Sequence, residues 1–111
     1  MRIAVLCSLP LIAFTGAISL AQAADEEPAL RGQEIYVERC GSCHLEGGFG
    51  TRVLERRVPE GQAELEKRDL LPSSFTMTVV RRGLGSMPQI RAAELSDADL
   101  QAIAAYLENG S

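Results

Sequence analysis

The chain has 111 residues and carries 11 lysines and arginines against 15 aspartates and glutamates, a formal charge of −4. That length holds one small domain, and the acidic balance excludes the basic face that nucleic acid requires. Three cysteines and a single histidine leave very few groups from which a metal or nucleophilic site can be built.

Residues 1–23 read as a secretory leader. After Met1 and Arg2 comes the apolar run IAVLCSLPLIAFTGAISL, which ends in AQA, with Ala21 and Ala23 at the spacing a signal peptidase reads. The run is nearly long enough to span a bilayer. The small-residue pattern followed at once by DEEPA nevertheless favours cleavage after Ala23 over a retained anchor. Cys7 leaves with the leader, and no lipobox surrounds it. The expected mature domain, residues 24–111, then has ten basic and 15 acidic side chains, a net charge of −5, and no membrane span. Export places it in the periplasm, where disulfides and covalent cofactor attachment are both permitted. Its charge favours a partner with a basic docking patch, met partly by electrostatic steering.

Three helical segments follow, with no strand pattern and no repeat, so the expected class is all-α. The first runs from about Leu30 to Ser42, with Leu30, Ile35 (or Tyr36) and Val37 as a partial apolar face. The second covers about Ser74 to Arg82, with Ser73 or Ser74 as N-cap and Gly83 to end it. The third has the sharpest boundaries. Ser96 and Asp99 form an S-x-x-D capping box, and Leu95 and Leu100 are spaced as a hydrophobic staple. Leu100, Ile103, Ala104 and Leu107 then make one stripe at i, i+3, i+4 and i+7, closed by Asn109-Gly110. Between Leu45 and Pro72 lies a glycine-bearing stretch in which GQAELEKR is the only candidate short helix. A structureless loop of that length suits a small domain only if it packs on something that is not protein.

The chemistry concentrates in CGSCH, residues 40–44. On a helix, Cys40, Cys43 and His44 stand at i, i+3 and i+4 and share one face. A thioredoxin-like dithiol needs this motif at a helix start beside a strand, whereas here it ends a helix with no strand near. Structural zinc needs about four ligands, and the mature chain offers two cysteines and one histidine. A plain Cys40–Cys43 disulfide leaves His44 without a role. C-x-x-C-H is the attachment pattern for c-type haem. Two thiols one turn apart each add to a porphyrin vinyl group, and His44 is then held beneath the iron. Covalent haem also supplies the apolar surface that so small a domain lacks.

No second histidine exists to take the opposite side of the iron. Met77 and Met87 are the candidates once Met1 is removed. Met77 sits mid-helix between threonines, where core packing is the ordinary role. Met87 lies in GLGSMP, where Gly83 and Gly85 free the backbone to turn and Pro88 holds the methionine extended. Met87 is therefore the expected second axial ligand. His/Met ligation raises the reduction potential, and six-coordinate iron leaves no position for substrate. That describes a carrier of single electrons. The alternative is a five-coordinate haem protein, a peroxidase or gas sensor, which requires Met87 to stay off the iron.

CGSCH, GLGSMP some forty residues later and the closing LQAIAAYL together resemble a class I monohaem cytochrome c over essentially the whole mature chain. The resemblance implies three main helices and long loops around one covalent haem c. It also implies a contact between Gly32 and Tyr36 of the first helix and Tyr106 of the last, with Leu107 beside it. More narrowly, LLPSSFTMTVVRRGLGSMP is similar to the cytochrome subunit of p-cresol methylhydroxylase-type flavoenzymes, the 4-alkylphenol and eugenol hydroxylases. That likeness implies a periplasmic dehydrogenase as donor, passing electrons from a flavin, and a downstream cytochrome or oxidase as acceptor. One departure stands out: GGFGTRVL puts Thr51 where the family usually has a proline, whose neighbouring backbone carbonyl accepts from the proximal histidine. Arg52, Arg56 and Arg57 on the same loop are candidates to meet a haem propionate, as solvated basic side chains otherwise.

Overall fold

The computed structural model describes residues 21–110. The expected leader therefore lies, apart from its last three residues, outside the described residues. The described chain is helical: α1 spans Ala21–His44, α2 Phe49–Leu54, α3 Ser73–Arg82 and α4 Asp97–Asn109, with a 3-10 turn at Leu65–Lys67. No strand occurs among the described residues, as an all-α cytochrome c fold requires. No helix among them is long and apolar enough to cross a membrane.

α1 is longer than the pattern predicts and carries the haem motif as its last turn. It stops at His44 because Gly47 follows with φ of 72°, a left-handed turn that only glycine adopts without strain. Gly48 N–H then donates to the Leu45 carbonyl at 3.0 Å and α2 begins. The expected apolar face of α1 needs correction. Leu30 and Val37 are exposed, while Tyr36 is buried and Ile35 and Cys40 are half-buried against the core.

α3 starts one residue earlier than expected and without a serine cap. Pro72 holds the N-cap position, its carbonyl accepting from Phe75 and Thr76 N–H at 3.0 and 3.1 Å. Ser73 instead reaches across to α4, its hydroxyl donating to Glu108 Oε2 at 2.5 Å. Gly83 ends α3 at φ of 75°, as predicted. The α4 cap is also as read from sequence: Ser96 Oγ accepts from Asp99 N–H at 3.1 Å, and Gly110 closes the helix at φ of 68°. Arg81 fastens the intervening loop. It donates to the carbonyls of Ile90 and Leu95 at 3.1 and 2.9 Å and to Asp97 at 2.6 Å.

α1 packs chiefly on α4, and α3 also packs on α4. The backbones of α1 and α4 come together at Gly32, where a Cβ would sit 2.2 Å from the Ala102 carbonyl oxygen and 2.9 Å from Tyr106 Cβ. That approach lets the Tyr36 and Tyr106 rings meet, centroids 5.9 Å apart and planes tilted by 51°. Leu100, Ile103, Leu107, Val80, Leu95 and Leu71 close around them, each buried aliphatic side chain contributing about 1.5–3 kcal/mol. The core fills the space between α1, α3 and α4 and leaves one face unfilled beside it, where Leu71 and Val80 border both.

Gly32→Ala is expected to destabilise the protein by at least about 1–3 kcal/mol, since the methyl meets main chain and not a movable side chain. Denaturant melts of the two forms, compared at matched slope, measure it.

Candidate functional site

The unfilled face is a cavity of about 390 Å³ bounded by the end of α1, α2, the 3-10 turn, α3 and the 83–88 loop. Its size is that of a bound small molecule or cofactor. Val53, Leu54, Leu65, Leu71, Val79 and Val80 make an apolar wall, and Arg57 and Arg68 are the only ionised side chains on it.

The end of α1 supplies one side. Cys43 and His44 line the cavity; Cys40, one turn back, is half-buried against the core. Both thiols are free, so no disulfide joins them. No group of three or more His, Cys, Asp or Glu side chains among the described residues is arranged to hold a metal ion. Burial pushes the Cys40 thiol up, with the neighbouring Cys43 adding to it. Burial first, and the Arg68 charge second, lower the His44 pKa and keep the imidazole neutral, the form that binds metals.

His44 Nδ1 is buried without a hydrogen-bond partner. The Gly50 backbone passes close by, where a Cβ would lie 3.2 Å from His44 Cε1, yet no carbonyl there accepts from the ring. α2, read from sequence as loop, is what brings this backbone in. It is short and glycine-bearing, so its helical period is invisible, and a tertiary bond holds it. Thr51, 2% exposed, donates its hydroxyl to the Leu45 carbonyl at 2.9 Å and lies 3.4 Å from the Cys43 carbonyl. The residue in place of the usual proline thus ties α2 to the last turn of α1. Tyr36 OH approaches the His44 carbonyl at 3.4 Å from the core side.

Met87 lines the same cavity. Its loop is closed by paired backbone bonds between Leu84 and Met87, at 3.1 and 3.0 Å. A Cβ on Gly83 would lie 2.8 Å from the Met87 carbonyl, so glycine at this position is required twice, by φ and by space. Met77 packs against the hydrophobic core and is absent from the cavity wall, as its mid-helix setting predicts. Sequence reasoning missed two wall residues. Thr76 is 7% exposed and its hydroxyl has no partner. Arg68 donates its Nε to the Gln62 carbonyl at 2.9 Å and faces the cavity, while Arg52 turns to the Gly47 carbonyl at 2.7 Å. Of the three arginines named on the loop, only Arg57 reaches the wall.

These residues fit a haem. The wall is apolar, and the two described buried polar side-chain atoms without partners, His44 Nδ1 and Thr76 Oγ1, both belong to residues that line the cavity. Arg57 and Arg68 on the wall are the side chains able to pair with carboxylates of a bound group.

Thr51→Val, isosteric but without a hydroxyl, is expected to cost about 0.5–1.5 kcal/mol by removing the bond that ties α2 to the Leu45 carbonyl, which keeps only its Gly48 N–H donor, and Thr51→Ser to recover most of it. Thermal melts of both variants are the check.

Residues 27–107 match the family model described as cytochrome C oxidase, cbb3-type, subunit III. No solved structure matches the chain.

Proposed function

The chain belongs to this family of haem-based electron carriers, which bind covalent haem c, and from that premise we propose how its own residues do the work. Cys40 and Cys43 hold the haem through thioethers, and His44 and Met87 are the axial ligands of its iron. The carrying observation is that His44 and Met87 approach one apolar cavity from separate elements, the end of α1 and the 83–88 loop. Bound haem supplies a one-electron ferric/ferrous couple. The thioether of Met87 favours the ferrous state, and ligation on both sides leaves substrate no open position. Arg57 and Arg68 offset the propionate charges, which lowers the cost of burying them. The protein is an electron carrier and not a catalyst by itself.

The leader ending at Ala23 supports export to the periplasm, with the working domain at 24–111. The likeness of residues 70–88 to the cytochrome subunit of p-cresol methylhydroxylase-type enzymes supports a flavin-dependent 4-alkylphenol-oxidising dehydrogenase as donor. The name of the matching family supports a terminal oxidase, or a cytochrome ahead of it, as acceptor.

Three measurements test this reading. Acidified organic solvent should leave haem on the native protein and strip it from the Cys40→Ser/Cys43→Ser variant. Met87→Ala should lose the long-wavelength sulfur-to-iron band of the ferric protein, lower the reduction potential and open the iron to added azide. An unchanged ferric spectrum would instead establish the five-coordinate alternative. Protein purified from its own periplasm should begin at Ala24, and a co-purifying flavoprotein should reduce the haem when given a 4-alkylphenol; a lone reducible monomer would remove that donor.

A further inference from the structure

α3 carries two threonines two residues apart, and their hydroxyls have different fates. Thr78 is exposed and donates back to the Ser74 carbonyl at 2.7 Å, the usual resort of a threonine inside a helix. Thr76 is 7% exposed, and its Oγ1 is buried with no partner. The carbonyl one turn back from it is already taken. Pro72 O accepts from Phe75 N–H at 3.0 Å and from the N–H of Thr76 itself at 3.1 Å. A carbonyl has two lone pairs, so the N-cap of α3 leaves the Thr76 hydroxyl without its helical acceptor. A buried hydroxyl left unpaired is costly, and native proteins seldom leave one.

The surrounding wall offers no substitute. Thr76 and Val80 stand at i and i+4, both buried and both lining the cavity, so Thr76 is a polar interruption in an apolar strip. No aspartate or glutamate lines the cavity, and residues 70–93 contain none at all. Arg57 and Arg68 are donors only. Ser86 is exposed, and Met87 brings a thioether, which accepts weakly. His44 Nδ1 is itself without a partner, so the two orphaned atoms do not meet. A strong acceptor has to arrive with whatever fills the cavity.

The haem assignment proposed above, on which this inference rests, supplies one kind of strong acceptor. With the ring nitrogens on iron and the vinyl groups joined to Cys40 and Cys43, two carboxylates remain. Arg57 and Arg68 can neutralise their charge. A hydroxyl adds an uncharged donor with a single direction, which fixes where a carboxylate lies. We infer that Thr76 is a haem-binding residue whose hydroxyl donates to a haem carboxylate, and that Pro72, by filling its own carbonyl, keeps that hydroxyl available.

The test compares the haem-loaded native protein with two variants. Thr76→Val keeps the shape and removes the hydroxyl; Thr76→Ser keeps the hydroxyl. Resonance Raman spectra read the propionate-bending band, whose frequency follows hydrogen bonding at the carboxylates. Thr76→Val should move that band to lower frequency and Thr76→Ser should leave it near the native position, with the ferric sulfur-to-iron band unmoved in both. Losing the donor concentrates negative charge on the carboxylate, so the reduction potential of Thr76→Val should fall. Its melting temperature should fall as well, because a bonded hydroxyl is lost; valine in place of an unpaired hydroxyl would raise it. Where valine disturbs the packing, Thr76→Ala repeats the spectroscopic comparison. An unmoved propionate band or a raised melting temperature overturns the proposal. So does a shift confined to the sulfur-to-iron band, which would give the hydroxyl to Met87 instead. Failure of the haem assignment looks different, since the native protein would then show neither visible absorbance nor haem Raman bands.

Discussion

Everything in the site depends on how closely two helix backbones approach at Gly32. A side chain there would have to overlap the Ala102 carbonyl, so the absence of one sets the α1–α4 distance. That distance brings the Tyr36 and Tyr106 rings together at a tilt, and Tyr36 is the residue whose hydroxyl reaches the backbone of His44. A steric fact twelve residues before the histidine thereby fixes where the end of α1 points. Haem attachment at a helix end needs such fixing, because the last turn has no following turn to hold its carbonyls.

Two polar contacts hold that last turn from opposite sides. Tyr36 meets the His44 carbonyl from the core, and Thr51 takes the Leu45 carbonyl from α2. The Thr51 bond is the shorter, at 2.9 Å against 3.4 Å, so α2 is the firmer of the two restraints. A proline at this position would bend the loop by its own ring; a threonine does so by a hydrogen bond. The proximal ring pays for the exchange, since the Gly50 backbone packs on the imidazole without accepting from Nδ1. On the ligation proposed above, a histidine lacking that partner would be a weaker electron donor to iron than one that has it, in the same direction as a Met87 thioether, toward the ferrous state.

What the sequence disclosed and what it hid divide along one line. α4 was legible to the residue because its cap, staple and stripe are all local: Ser96 bonds to Asp99 three residues on. The haem motif was legible because covalent attachment demands a fixed spacing. α2 was not, since six residues hold too little periodicity to see and its hold on α1 runs through a threonine hydroxyl. The face of α1 was misjudged for a related reason. Leu30 and Val37 are apolar, but burial follows the Gly32 crossing, which turns Tyr36 inward and leaves them outside. Arg68 and Thr76 were hidden because nothing marks an arginine or threonine as a wall residue until the wall exists.

The apolar wall and the acid-free segment have one origin. A surface that holds a large apolar group with two carboxylates must exclude further negative charge, because each buried carboxylate next to the propionates would raise the cost of both. Residues 70–93 meet that demand along their whole length, including positions such as Arg82 that lie outside the wall. The absence of carboxylates thus extends past the residues that touch the cavity, to exposed positions on the same segment. The charge around the cavity is therefore set locally, and the net charge of the molecule does not predict it.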